Sequence, residues 1–414
     1  MPERRVVVTG TGVVTPLGDT REELHRALCA GTSGIKPAEK FIDPALKDPL
    51  VGEITAFAPA KYLEKRNYRP LDRTSLLLTS AAQLALNDSG WTPELREQHA
   101  VGLVAGTTFC SVHTISKFDC CALTDGPGQT SPLDFANTVI NAAAGQCAIW
   151  HGLRGVNSTI SSGITSGLEA IGYAARLIRE GHEQAILAGG VEELCVESLL
   201  GFQQAGMLCT ANGAPAKYPM PFDALSPGFA LAEGASILLL EELDAALKRG
   251  AKVLAEIRGF GSSFDCGLAA GEARIAKRAA CISRAINQAL DSAGVAASSV
   301  GALSASANGH ELMDRCEAQA IKQVFNGGTK SLAISAPKSA VGESLGASGG
   351  LQAIEMIASF ADNQVACVAR VEEGSPLASL KLLPSGSRGV AAKACLINSV
   401  GIDGNCCSLV MGPY

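Results

Sequence analysis

The stretch Gly155-Val-Asn-Ser-Thr-Ile-Ser-Ser-Gly-Ile-Thr-Ser-Gly-Leu-Glu-Ala-Ile-Gly172 decides how the rest of the chain is read. It runs as a strand through small residues, turns at Gly163-Ile164-Thr165-Ser166-Gly167, and continues as a helix over 166–180. A strand that feeds directly into a helix is half of an α/β unit, and the pattern recurs in both directions. Apolar runs at 5–8, 101–105, 185–188, 236–240, 393–397 and 408–411 read as strands. Amphipathic periodicity over 21–30, 75–89, 278–293, 315–324 and 349–360 reads as helices.

Two echoes organise these units. Ser80-Ala-Ala-Gln-Leu-Ala-Leu-Asn-Asp-Ser-Gly90, ahead of the run 101–105, is matched by Ser283-Arg-Ala-Ile-Asn-Gln-Ala-Leu-Asp-Ser-Ala-Gly294, ahead of 300–305. Ser166-Gly-Leu-Glu-Ala-Ile171 is matched by Gly349-Gly-Leu-Gln-Ala-Ile354. Both pairs keep their order at a separation of about 200 residues, as two copies of one α/β unit require. The chain therefore divides into residues 1–250 and 251–414, with the join over 248–256.

Of the 414 residues, 47% are hydrophobic and only 18% charged, against about 25% charged in a typical soluble domain. That deficit implies a large core and further surface buried against a partner. A net charge of −6 argues against nucleic acid as the main ligand. No segment approaches the ~18 unbroken apolar residues of a membrane span. Met1-Pro2-Glu3-Arg4-Arg5 and the residues after it lack the form of a signal peptide. The expected location is cytoplasmic. The 14 cysteines are irregularly spaced and include no C-x-x-C, so neither a zinc site nor a disulfide framework is expected. The sequence calls for no cofactor.

Other motifs follow in a fixed order. Arg5-Val-Val-Val-Thr-Gly-Thr-Gly-Val-Val-Thr-Pro-Leu-Gly18 opens the chain; Pro221-Phe-Asp223 and Gly228-Phe-Ala-Leu-Ala-Glu-Gly-Ala235 stand at its centre. Asn308-Gly-His310, Ser335-Ala-Pro-Lys338 with Gly342, and Asn398-Ser-Val-Gly401 come later. Together with the turn at 163–167 they make the chain resemble the β-ketoacyl synthases over nearly its whole length. That resemblance implies a thiolase-like α/β fold, a five-layered α-β-α-β-α core built from two duplicated halves.

It also implies where chemistry is to be sought. The family's nucleophile is a cysteine at the helix N-terminus, acidified by the helix dipole; here Ile164 stands in its place. Two histidines assist decarboxylation and steady the enolate. The first maps to His310, on a shortened loop that retains the acidic residues Asp314 and Glu317. The second maps to Glu343, whose carboxylate is expected to oppose a developing negative charge. Lys338 is kept, while the acid that accompanies it maps to Gln352. The aromatic gate reads Val400-Gly401-Ile402-Asp403. No catalytic residue is expected to act at the degenerate positions Ile164, His310, Lys338 and Glu343, and losing a nucleophile costs on the order of a millionfold in rate.

A chain of this kind resembles a chain length factor of a type II polyketide synthase. The implied partners are an active ketosynthase subunit, in a heterodimer, and an acyl carrier protein bearing a phosphopantetheine-bound chain. Phe109, Val112, Ser116, Leu133, Asp134, Thr138 and Ile402 are the expected tunnel and interface residues. Two alternatives stand beside this reading: an active homodimeric β-ketoacyl-ACP synthase with an atypical nucleophile, and a non-catalytic scaffold protein.

Simpler roles are assigned elsewhere. Thr165 and Ser166 are expected to cap the helix that starts there. Cys147, Cys195 and Cys316 are read as buried and inert. Ala188-Gly189-Gly190 is read as a tight turn or close packing, and the basic residues of 61–73 as a solvated face.

Overall fold

A computed structural model describes residues 4–41, 43–64, 67–211, 218–267, 271–325, 332–366, 387–389 and 393–414. Its centre is one ten-stranded sheet. In chain order the strands are β1 (Val6–Val14), β2 (Gly102–Gly106), β3 (Asn157–Ile160), β4 (Ala185–Glu192), β5 (Gly234–Glu242), β6 (Ala255–Phe264), β7 (Ala302–Ser304), β8 (Ala333–Ser335), β9 (Cys395–Val400) and β10 (Asn405–Gly412). The first five lie in the spatial order β3-β2-β4-β5-β1 and the second five in the order β8-β7-β9-β10-β6. The strand senses match as well. β2 runs parallel to β3 and β4, as β7 does to β8 and β9. β5 is antiparallel to β4 and β1, as β10 is to β9 and β6. The two sets meet where Val6, Val7 and Val8 of β1 pair with Ile257, Glu256 and Ala255 of β6.

The helices complete five layers. Those used below are α1 (Arg73–Ser89), α2 (Val112–Thr124), α3 (Ala142–His151), α4 (Ser166–Glu180), α5 (Val196–Gln204), α6 (Gly271–Ala293), α7 (Glu311–Phe325) and α8 (Ser348–Asp362), and a further helix spans Arg21–Cys29. Covered on both faces, the central strands β1, β4 and β5 are buried along almost their whole length, whereas β6 alternates buried and partly exposed residues and the edge strand β3 is partly exposed. α1 packs on β1 and β5, and α6 on β6 and β10. Between them, α4 and α8 touch each other and strands of both halves. Even their polar positions are buried on α8, where Gln352 and Glu355 are wholly enclosed. This is the thiolase-like α/β architecture the motifs implied.

Local chemistry explains several boundaries. Asp72 caps α1, accepting from the Ser75 N–H, and Gly90 ends it in the left-handed conformation. The Gly189-Gly190 pair is not a turn: both residues lie within β4. They serve close packing, since a Cβ on Gly190 would lie 2.0 Å from the Gly346 carbonyl. α2 begins at Val112 and not earlier, because Cys110 takes a positive φ of 55° that no helix continues.

Candidate functional site

The turn between β3 and α4 is a single 3-10 turn, Gly163–Thr165. Ile164 is 3% exposed and packs with Leu194, Leu199, Phe202, Phe229, Leu231 and Leu345, with Ile402 beside them. Hydroxyls hold the turn's shape. Ser166 Oγ accepts from the Ser162 N–H at 2.9 Å and donates to the Gly163 carbonyl at 2.6 Å. Thr165 Oγ1 donates to the Ser162 carbonyl at 2.8 Å. Neither residue makes the expected N-cap bond: α4 has no side-chain cap from Thr165, and Ser166 spends its oxygen on the turn. Glu169, one turn into α4, accepts from Ser162 Oγ at 2.7 Å, and its other oxygen lies 3.1 Å from Thr165 Oγ1. Burial holds its carboxyl above the usual range.

Across from this turn lies a buried ion pair. Lys338 Nζ is 2.9 Å from Glu343 Oε2, with side chains 2% and 0% exposed. Asn308 Nδ2 donates to the same oxygen at 2.8 Å. The other oxygen accepts from the Leu345 N–H at 3.0 Å and Ser348 Oγ at 2.7 Å. Lys338 also donates to Ser306 Oγ, which accepts from the Val400 N–H. Glu343 is therefore neutralised and saturated with donors, not an isolated repelling charge. Lys338 has not lost its acid: the carboxylate stands at 343 rather than 352. Gln352 occupies the core as a neutral donor, its Nε2 reaching the Ala305 and Asn398 carbonyls at 2.9 and 3.1 Å.

His310 sits at the mouth of α7, its shortened loop absorbed into the helix start. Burial lowers its pKa, and among the described residues its Nδ1 has no hydrogen-bond partner. Asp314 braces the loop, accepting from the Phe222, Asn308 and Gly309 N–H groups at 2.8, 3.2 and 3.0 Å. Burial pushes its carboxyl up to about 7. Glu317 accepts from the Ser306 N–H and from Asn398 Nδ2.

Beside the turn opens an apolar cleft of about 300 Å³, lined by Phe109, Val112, Phe202, Met207, Ile402 and the small residues of α5. Phe109 and Phe202 meet edge to face at 6.1 Å, and Phe202 meets Phe229 likewise at 5.5 Å.

Comparison with known proteins places this geometry. The model for the β-ketoacyl synthase N-terminal domain matches residues 3–246, and that for the C-terminal domain matches 254–372. The chain belongs to the β-ketoacyl synthase family. Among its relatives, proteins named 3-oxoacyl-acyl-carrier-protein synthase 2 from Coxiella burnetii and Vibrio cholerae are each 34% identical over 99% of both chains. Among solved structures, the ishigamide ketosynthase/chain length factor superposes with a TM-score of 0.90 at 28% identity over the whole of both chains. A β-ketoacyl synthase from Burkholderia phymatum gives 0.88 at 30% identity, over 99% of this chain and 100% of that one.

Within this β-ketoacyl synthase fold the expected site residues part into two groups. Phe109, Val112 and Ile402 line the one cleft. Ser116, Leu133, Asp134 and Thr138 do not. Ser116 is hydrogen-bonded to Glu197, and Asp134 lies 3.5 Å from Lys117. Leu133 belongs to a segment that also exposes Leu123, Phe135, Val139 and Ile140. Cys147, Cys195 and Cys316 are buried, their thiols pushed up by burial to about 12, 12 and 11. In the basic stretch, Lys61 pairs with Asp19 and Arg73 with Glu233; Lys65 and Arg66 fall outside the described residues. The cleft's α5 wall was not anticipated. Its signal was the spacing Ser198, Gly201, Phe202, Ala205, one helical face with two small residues that leave room.

Proposed function

We propose that this chain is a chain length factor-like subunit: it pairs with a cysteine-bearing ketosynthase and bounds the tunnel in which a carrier-protein-bound polyketide or polyene chain grows. The observation that carries the reading is Ile164. A hydrocarbon, packed into an apolar cluster at the helix N-terminus, cannot form an acyl thioester. Glu343, engaged by Lys338, gives no imidazole at the second histidine position. The exposed apolar side chains of residues 123–140 support a partner-covered face. In a solved neighbour, AntDE:AntF, a type II polyketide synthase acyl carrier protein is in complex with its ketosynthase (TM-score 0.85, 26% identity).

The test is a single-turnover acylation with radiolabelled acyl carrier protein. The isolated chain acquires no covalent label, and co-expression with a cysteine-bearing ketosynthase yields a heterodimer by size measurement. A stoichiometric adduct on the isolated chain overturns the reading. The names of the curated relatives, which match over 99% of their length, favour the second reading of an active homodimeric synthase with an atypical nucleophile, and that adduct is the result it requires.

A further inference from the structure

Phe109 stands at the cleft on a turn that its own residues hold only in part. Cys110, the next residue, has φ +55°, a conformation disfavoured for any side chain other than glycine. Ser111, the residue before α2, provides no side-chain cap. Most of what holds the turn comes from another element. Glu192, the last residue of β4, is 1% exposed. Its Oε1 accepts from the Phe109 N–H at 2.9 Å and from Thr107 Oγ1 at 3.2 Å. Its Oε2 accepts from the Thr108 N–H at 2.7 Å and the Gly346 N–H at 3.1 Å. Thr107 Oγ1 in turn accepts from the Cys110 N–H at 2.9 Å. Four donors converge on one carboxylate, which is all the acceptor capacity it has.

We infer that Glu192 is a positioning residue for Phe109, fixing where the tunnel ends by holding the turn 107–110 against the turn that precedes α8. The inference rests on the reading of Phe109 as a tunnel boundary. A glutamine has the same shape but replaces one acceptor oxygen with a donor, so it meets the Thr108 or Phe109 N–H donor to donor. An aspartate keeps the charge and shortens the reach by one methylene.

The experiment has two arms on the full chain. In hydrogen exchange followed by mass spectrometry, Glu192→Gln speeds exchange of the amides of residues 107–110 and of Gly346 about tenfold, and Glu192→Asp falls between it and the parent. In the assembled pair with a ketosynthase, Glu192→Gln broadens product length in the direction that Phe109→Ala does. Unaltered exchange in both variants overturns the positioning role, as does an unchanged product distribution from Glu192→Gln when Phe109→Ala shifts it. Unchanged products from Phe109→Ala itself overturn the tunnel reading underneath, and the inference with it. Should Glu192→Gln fail to fold, the Glu192→Asp arm alone decides.

Discussion

Lys338 has no route to water, so its charge must be met inside the protein. Glu343 meets it at 2.9 Å with a full set of donors around both oxygens. Removing one member of a buried pair strands the other, at a cost of about 3–5 kcal/mol; Glu343→Gln is expected to lower unfolding free energy by that amount in denaturant melts. Restoring a histidine at 343 does the same damage. Pairing it with Gln352→Glu, which returns an acid to the family position, is expected to recover most of the loss. A double-mutant cycle whose two changes merely add would refute this relocation of the counter-charge. The same account covers Ile164→Cys: it introduces a thiol but no imidazole, and acyl-transfer assays should find no robust condensation. None of this was legible in the sequence. Glu343 looked like an opposing charge because its lysine, five residues earlier at the start of the short helix Lys338–Val341, is brought back against it only inside the folded core.

At the level of elements, periodicity carried well. The helix expected over 166–180 is α4 to the residue, and the strand beginning at Ala185 was right at its start and short at its end. The start of α2 is not readable locally, because the turn before it depends on Glu192, 83 positions along the chain from Phe109, and no local pattern reports that. The cleft wall on α5 shows the converse, a legible face that was overlooked. A Cβ added at Gly201 meets nothing within 4 Å, and replacing a helical glycine gains up to about 1 kcal/mol. Gly201→Phe is therefore expected to fill the cleft and shorten the products of the assembled pair without lowering Tm. Mass spectrometry of the product mixture checks it, and a lengthened distribution would count against α5 as a wall.

For the whole molecule, the five layers bury carboxyls that the sequence shows only as scattered acids. Burial pushes Asp314 up to about 7, and Glu193 and Glu355 up to about 8. Each titrates higher folded than unfolded, so between about pH 4 and these values the native state holds more protons. Stability accordingly falls as pH rises through that window and levels off above it. Thermal melts from pH 5 to 8.5 should show Tm declining, and Glu355→Gln, neutral throughout, should flatten the slope. The repeat was visible as two echoes, but its depth was not. The Ser162 N–H to Ser166 Oγ bond ahead of α4 recurs as Ser344 N–H to Ser348 Oγ ahead of α8. In both copies the bend is kept by serines, while the buried residue at its middle, Ile164 or Gly346, contributes no hydroxyl to it. Form and reactivity are thus written at separate letters of the same word, so that changing the one leaves the other readable.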